Sequence, residues 1–420
     1  MHDPWPAPYA DAPVHAHITL PGSKSLTSRA LLLAAIADGP STIRHALLAR
    51  DTALMMAALE AMGVGVDVRD DIVVVTPKPL GGPAAVDCGL AGTVMRFVPP
   101  VAALATGRVE FDGDERARER PMGEMLDALR QLGVAIDAGA DSLPFAVAGA
   151  GRVEGGAVTL DASASSQFVS ALLLAGARYE RGVDVRHDGK PVPSLPHIAM
   201  TVGMLRERGV EIDDGEPNRW VVSPSEISGI PVDVEPDLSN AAPFLAAATV
   251  TGGSVTVVGW PGGTHQPGDR LRSILAMFGA SVSLDADGLT VSGTGRVAGV
   301  DVDLHDAGEL VPVVAAVASL ADSPSYLRGI SHLRGHETDR LAALSTELGL
   351  LGCDARETRD GLEIHPQPLT GAVFHTYADH RLAQAAAVLG LVVEGVRVDD
   401  VAATAKTHPD FVGAWAAMLG

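Results

Sequence analysis

Seven cations stand in motif-like segments, most of them at or near the starts of apolar, Ala- and Leu-rich stretches: Lys24, Arg29, Arg96, Arg120, Arg340, Arg381 and Lys406. Two carboxylates, Glu309 and Glu337, lie among them in the second half of the chain. A helix start offers unpaired N–H groups and the positive end of the helix dipole, so a cation there makes phosphate or carboxylate the expected guest. The first such segment is Pro21-Gly22-Ser23-Lys24-Ser25-Leu26-Thr27-Ser28-Arg29, followed by Ala30-Leu31-Leu32-Leu33. It lacks the G-x-x-x-x-G-K-[ST] spacing of a nucleotide-binding loop. Gly89-Leu90-Ala91-Gly92-Thr93-Val94-Met95-Arg96 pairs a close-approach glycine with an arginine one turn inside the helix. Ser163-Ala164-Ser165-Ser166-Gln167 carries more hydroxyls than an N-cap needs, and Ser194 stands similarly before another helix. Capping alone accounts for Pro236-Asp237-Leu238-Ser239-Asn240, whereas for the carboxylate of Asp306-Ala307-Gly308-Glu309 capping and acid-base work are equally good explanations. In His332-Leu333-Arg334-Gly335-His336-Glu337-Thr338-Asp339-Arg340, the spacing predicts Glu337 and Arg340 on one helix face, an acid-base group beside an anion clamp. The pair His332 and His336 has zinc-like spacing, but H-E-x-x-H is absent and no third ligand is apparent, so no metal is expected.

The elements that must position these groups repeat. Ala/Leu helices begin near Ser25, Thr93, Ser166, Ser239, Glu309 and His380, at intervals of about seventy residues. Each of the first five is followed by a second helix that ends in a glycine turn, as at Met62-Gly63-Val64, Leu132-Gly133-Val134 and Leu351-Gly352-Cys353, and then by short alternating strands. The unit therefore reads strand-helix-strand-helix-strand-strand in six copies. Two lobes of three units suit the length: residues 19–230, and residues 231–420 completed by 1–18, with the chain crossing near Ser228-Gly229-Ile230-Pro231-Val232. If the first helices of all copies aim at one cleft, their dipoles form an anion trap in an acidic protein.

The composition narrows the partners. With 20% charged residues and 47% hydrophobic residues, the 420-residue chain is an ordinary globular one. A net charge of −21 argues against nucleic acid and anionic membranes, and no apolar run approaches a membrane span. The first sixteen residues do not have the layout of a signal peptide, and two cysteines, Cys88 and Cys353, suggest no disulfide framework. A cytoplasmic monomer acting on small molecules is the expectation. Lys24, Lys78, Lys190 and Lys406 are the only lysines, so two of four fall inside these segments.

Taken in order, Gly22-Ser23-Lys24-Ser25 with Arg29, Ala91-Gly92-Thr93-Val94-Met95-Arg96, Glu119-Arg120-Pro121, Ser165-Ser166-Gln167-Phe168, Glu337-Thr338-Asp339-Arg340, Asp379-His380-Arg381 and Ala405-Lys406-Thr407 resemble the 5-enolpyruvylshikimate-3-phosphate synthase family. The resemblance runs over nearly the whole chain and implies an α/β fold of two lobes, each of three β-α-β-α-β-β units, with the active site in the cleft. It implies transfer of the enolpyruvyl group of phosphoenolpyruvate to the 5-hydroxyl of shikimate 3-phosphate, on the route to chorismate, without a cofactor. By the same resemblance Lys24, Arg96, Arg120, Arg340, Arg381 and Lys406 hold phosphoenolpyruvate, while Ser25, Arg29, Ser165, Ser166, Gln167 and Ser194 hold shikimate 3-phosphate. Gly92 and His336 line the site, Glu309 takes the hydroxyl proton, and Glu337 with Lys406 handles the proton at C3.

Some positions depart from the family pattern: Leu90 stands for Asn, Phe97 for Pro, His197 for Tyr, His332 for Asn, His336 for Lys and Glu309 for Asp. Two rival readings share the motifs. A sister transferase acting on UDP-N-acetylglucosamine typically has a reactive cysteine in a mobile loop, and the corresponding Asp112–Pro121 loop has none. A catalytically inert anion-binding homologue would not need both Glu309 and Glu337 beside two polyanions.

Overall fold

The computed structural model describes residues 3–420. The chain forms two compact units: Gly22–Val234, and the stretch up to Pro21 together with Glu235–Gly420. The repeat counted in the sequence is a β-α-β-α-β-β unit with one sheet per copy. In the second copy Ala84–Asp87 runs parallel to Thr106–Asp112, which pairs antiparallel with Phe145–Ala150, and that strand with Ala135–Ala138. The third copy repeats this order with Gly156–Leu160, Val183–His187, Arg219–Val222 and Ile212–Asp213. The fifth repeats it with Asp301–Asp303, Ser325–Arg328, Leu362–His365 and Asp354–Glu357.

The remaining sheets are completed by strands distant in sequence. The parallel strand of the first copy is Val232–Asp233, which pairs with Ser41–Arg44. That of the fourth copy is His15–Ile18, paired with Ser254–Val258. Trp5–Pro6 adds to Arg397–Val398 in the three-stranded sixth sheet. The division between units thus falls after Val234, beyond the 230/231 boundary expected from the sequence, because the two-residue strand is held by its parallel partner and by no pattern of its own. Of the segment 1–18 expected to complete the second lobe, residues 1–2 lie outside the described residues.

The helices at the centre of each unit are buried on every side. Leu31, Leu32, Leu33 and Ala34 in helix Lys24–Ala35 have no exposed surface, and neither do Ala315 to Ala318 in Val311–Ser319. A helix apolar all round, such as Ala30-Leu31-Leu32-Leu33-Ala34-Ala35, has no face to give to water and settles in the middle of the core. Gly92–Ala102 packs on Gln167–Gly176, and Val311–Ser319 packs on His380–Gly390. The second helix of each of the first five copies stops at a glycine in the left-handed region: Gly63, Gly133, Gly209, Gly279 and Gly352, with φ between 81° and 107°. That conformation closes the last turn and is costly for any residue with a Cβ.

Candidate functional site

In the Gly22–Val234 unit the polar groups cluster at the starts of the central helices. Ser23 caps Lys24–Ala35 by accepting a hydrogen bond from Leu26 N–H, and Lys24 at the first helical position lies 3.5 Å from the buried Asp51 carboxylate. Arg29, one turn on, donates through Nε to Thr201 Oγ1 (2.8 Å), and through its terminal nitrogens to the carbonyls of Ser25 and His197 and to Ser170 Oγ. Its guanidinium also lies 5.0 Å from the centre of the Phe97 ring. Arg29 therefore ties three helices together, and Ser25 offers it a backbone carbonyl.

Arg96 is buried in helix Gly92–Ala102 and donates to the Gln167 amide oxygen (2.8 Å), with Phe168 5.2 Å beneath it. Its Nε makes no hydrogen bond. Burial, with the like charge of Arg120, pulls the Arg96 pKa well below the usual arginine range. Arg120 follows the short helix Glu115–Arg118 and reaches the Leu90 carbonyl at 3.4 Å. A Cβ placed on Gly92 would stand 3.0 Å from both terminal nitrogens of Arg120, so the glycine leaves room for that guanidinium. Ser165 Oγ accepts from Gln167 N–H at the start of Gln167–Gly176, and Ser166 is buried at its N-cap. Ser194 stands at the N-terminal boundary of Leu195–Arg206 in the left-handed region, with φ of 55°, and its side chain makes no capping hydrogen bond.

The other unit assembles carboxylates as well as cations. Glu337 Oε1 accepts from the Lys406 ammonium at 2.7 Å, and its Oε2 from His380 Nδ1 at 3.2 Å. Burial raises the pKa of the Glu337 carboxyl, but Lys406 and the neighbouring cations more than offset this and hold it well below the usual range. His380 is itself pushed by burial down to about 4, so at neutral pH its ring is uncharged and acts as a donor. Lys406 is therefore the principal cation acting on Glu337, with Arg340 behind it. Arg340 is buried and grips Asp379 with two hydrogen bonds of 2.7 and 3.2 Å. Asp379 also accepts from Arg381 N–H, capping His380–Gly390. Arg381 donates to Asn240 Oδ1 and Gln384 Oε1, both at 3.0 Å. Glu309 lies close enough for its charge to act on Arg340, Arg381 and His332.

Glu337 is not on the helix with Arg340, as its spacing predicted. Asp339 caps Arg340–Leu350 by accepting from Ala342 N–H, so Glu337 precedes the helix in a loop and meets Arg340 across the turn. His332 and His336 lie in and just after the turn Ser331–Gly335 with ring centres 5.9 Å apart. The ligand-rich group among the described residues is a different one, Glu337, Asp379 and His380. Lys406 and Arg340 occupy those two carboxylates, a setting that suits anions better than a cation. Sequence reasoning missed Asn240. It reads as a plain helix start, yet its fully buried side chain receives Arg381, Gln384 and Thr407 and donates to the Thr407 carbonyl. It also missed Asp51, whose only signal was an acid in the first turn of Arg50–Ala61.

The fold is that of the enolpyruvyl transferases. An Acinetobacter baumannii EPSP synthase structure matches with a TM-score of 0.80 at 23% identity, covering 98% of this chain and 97% of that one. The enolpyruvyl transferase NikO from Streptomyces tendae matches with 0.74 at 18% identity, covering 98% and 96%. The sequence narrows this further. Residues 8–415 match the family model for EPSP synthase (3-phosphoshikimate 1-carboxyvinyltransferase). A Kocuria rhizophila protein named 3-phosphoshikimate 1-carboxyvinyltransferase is 55% identical over all of this chain and 97% of its own length. The chain belongs to the EPSP synthase family.

Proposed function

We propose that the protein transfers the enolpyruvyl group of phosphoenolpyruvate to the 5-hydroxyl of shikimate 3-phosphate, giving 5-enolpyruvylshikimate 3-phosphate and phosphate. The observation that carries this is 55% identity to a named 3-phosphoshikimate 1-carboxyvinyltransferase across the whole chain. The chemistry of the two residue sets agrees with it. Bringing two polyanions together requires cations to offset their repulsion, and Lys24, Arg96, Arg120, Arg340, Arg381 and Lys406 would do so for phosphoenolpyruvate. Ser25, Ser165, Ser166, Gln167 and Ser194 would hold the shikimate 3-phosphate. Arg29, whose donors go to Thr201, Ser170 and two carbonyls, would shape that half of the site.

In the addition step the 5-oxygen bonds to C2 and its proton passes to Glu309, while C3 gains a proton. Glu337 is held ionised, so the acid of the Glu337–Lys406 pair is the Lys406 ammonium, and Glu337 steadies it. In the elimination step the C2–O bond to phosphate breaks and C3 returns a proton to the same pair. Nothing in this sequence calls for a metal or cofactor. His336 would line the site beside His332. The reading is of a cytoplasmic monomer with small-molecule partners, and no helix among the described residues is long and apolar enough to cross a membrane. Burial pushes the Cys88 and Cys353 thiols up to about 12 and 11, so neither is a ready nucleophile.

Phosphate release from phosphoenolpyruvate, measured with shikimate 3-phosphate or with UDP-N-acetylglucosamine as acceptor, tests the proposal. Release with shikimate 3-phosphate alone is expected. Release with the nucleotide sugar alone would overturn the substrate, and release with neither would overturn the activity.

A further inference from the structure

The segment that delivers Asp379, His380 and Arg381 is bent in an unusual way. Tyr377 and Ala378 are consecutive residues with φ of 52° and 56°, in the left-handed region that side chains rarely adopt. Such strain persists only where surroundings impose it. Here the surroundings are a buried carboxylate. Glu347, 1% exposed on helix Arg340–Leu350, accepts from His375 N–H (2.9 Å) and His375 Nδ1 (3.2 Å) through Oε2, and from Tyr377 O–H (2.7 Å) through Oε1. Thr376 N–H is fixed separately by Asp399 Oδ1, and Asp379 N–H closes the turn on the Thr376 carbonyl.

Arg340 and Glu347 lie seven residues apart on one helix, about 10 Å along its axis and on the same side. The helix therefore touches the 375–379 segment twice, by Arg340 on Asp379 and by Glu347 on His375 and Tyr377. A contact at Arg340 alone would leave the segment free to pivot about it.

We propose that Glu347 is a positioning residue: its carboxylate clamps His375 and Tyr377, and so holds the left-handed turn that sets Asp379 against Arg340 and His380 against Glu337. Glu347 touches no substrate in this account. It acts through Arg340 and the Glu337–Lys406 pair, and so rests on the roles given to them above.

The test is steady-state phosphate release by the full-length protein, with KM measured separately for each substrate. Tyr377→Phe deletes one hydroxyl from a half-exposed ring and should leave folding intact. About a tenfold rise in KM for phosphoenolpyruvate is expected, the scale of a lost hydrogen bond to a charged group, with KM for shikimate 3-phosphate unchanged. Glu347→Gln should go further and also lower kcat. Adding Ala378→Gly to Tyr377→Phe should recover most of the loss, because glycine enters the left-handed region without strain. If Tyr377→Phe keeps the wild-type KM for phosphoenolpyruvate, or if Glu347→Gln lowers the melting temperature with no change in either constant, the clamp serves stability only and the inference is overturned. Wild-type protein that releases no phosphate would instead overturn the reaction, and the clamp's role with it.

Discussion

In the Gly22–Val234 unit, buried Arg96 meets an amide oxygen and an aromatic face, and its strongest electrical neighbour is another cation, Arg120. In the other unit, buried Arg340 holds Asp379 in a two-bonded ion pair, and Glu337 is locked to Lys406. The shifts of the two arginines follow. Burial lowers both pKa values, but Asp379 reverses this at Arg340, which rises, whereas Arg120 adds to it at Arg96, which falls. Around Arg96 two like charges face each other, a setting suited to receive an anion. Around Arg340 and Glu337 each charge already faces its opposite. The division between binding and acid-base work would therefore be partial: both units would supply cations to phosphoenolpyruvate, and one of them would also supply Glu309, Glu337 and Lys406.

The largest expected break in that division is Glu337→Gln. The amide keeps the shape but cannot balance Lys406. Turnover should fall by about 10²-fold, the low end of what a general acid contributes, because the Lys406 acid stays but loses the carboxylate that steadies it, while both substrates still bind. Binding measured calorimetrically beside turnover checks this, and unchanged turnover would return Glu337 to a purely structural part.

The next break compares stabilities of the unliganded protein. Arg340→Leu strands Asp379, which is fully buried, and should cost about 3–5 kcal/mol in urea unfolding. Arg96→Leu removes a charge that its surroundings disfavour, and should change stability by no more than about 1 kcal/mol, or raise it. Both substitutions should weaken phosphoenolpyruvate binding. Equal stability losses would show that the two clusters do not differ as described.

Most of these groups were legible in the sequence because a helix start announces itself. Lys24, Arg96, Gln167 and Arg381 stand where small or polar residues give way to an apolar run, and local spacing is enough to place them. The partners that decide their electrostatics were less legible, since Asp51, Asn240 and Glu347 come from other elements and make their contacts only once the chain is folded. Glu337 shows the limit of periodicity. It lies three positions before Arg340, yet the Asp339 cap starts the helix after it, so proximity arises across a turn and not along a face. The strand Val232–Asp233 was hidden for the same reason, being too short to carry a pattern apart from the parallel partner that fixes it, whereas the sequence placed residues 1–18 with the second lobe without giving the register of His15–Ile18 on Ser254–Val258.

The prediction with the smallest effect at neutral pH concerns acid. Burial pushes His332, His380 and His408, all in the carboxylate-bearing unit, from an ordinary 6.5 down to about 4. Unfolded chains take up these protons near pH 6.5 and the folded protein refuses them until near pH 4. Their contribution is therefore complete above pH 6.5 and is lost as the pH falls towards 4. Glu337, whose folded pKa is also depressed, acts lower, below its ordinary 4.5, so the window between isolates the imidazoles. His408 is the one to remove, because it packs on Phe244 and Phe411, with ring centres 5.7 and 5.8 Å away, and is not in the proposed machinery. His408→Phe should leave stability at pH 7.5 nearly unchanged and reduce the loss between pH 6.5 and 4 by about 3 kcal/mol. Fluorescence of Trp415, stacked on Phe411 at 5.3 Å, reports on unfolding at that site. A pH dependence identical to wild type would mean that His408 accepts its proton as readily folded as unfolded, and that the acid sensitivity of this unit lies with the imidazoles beside its carboxylates.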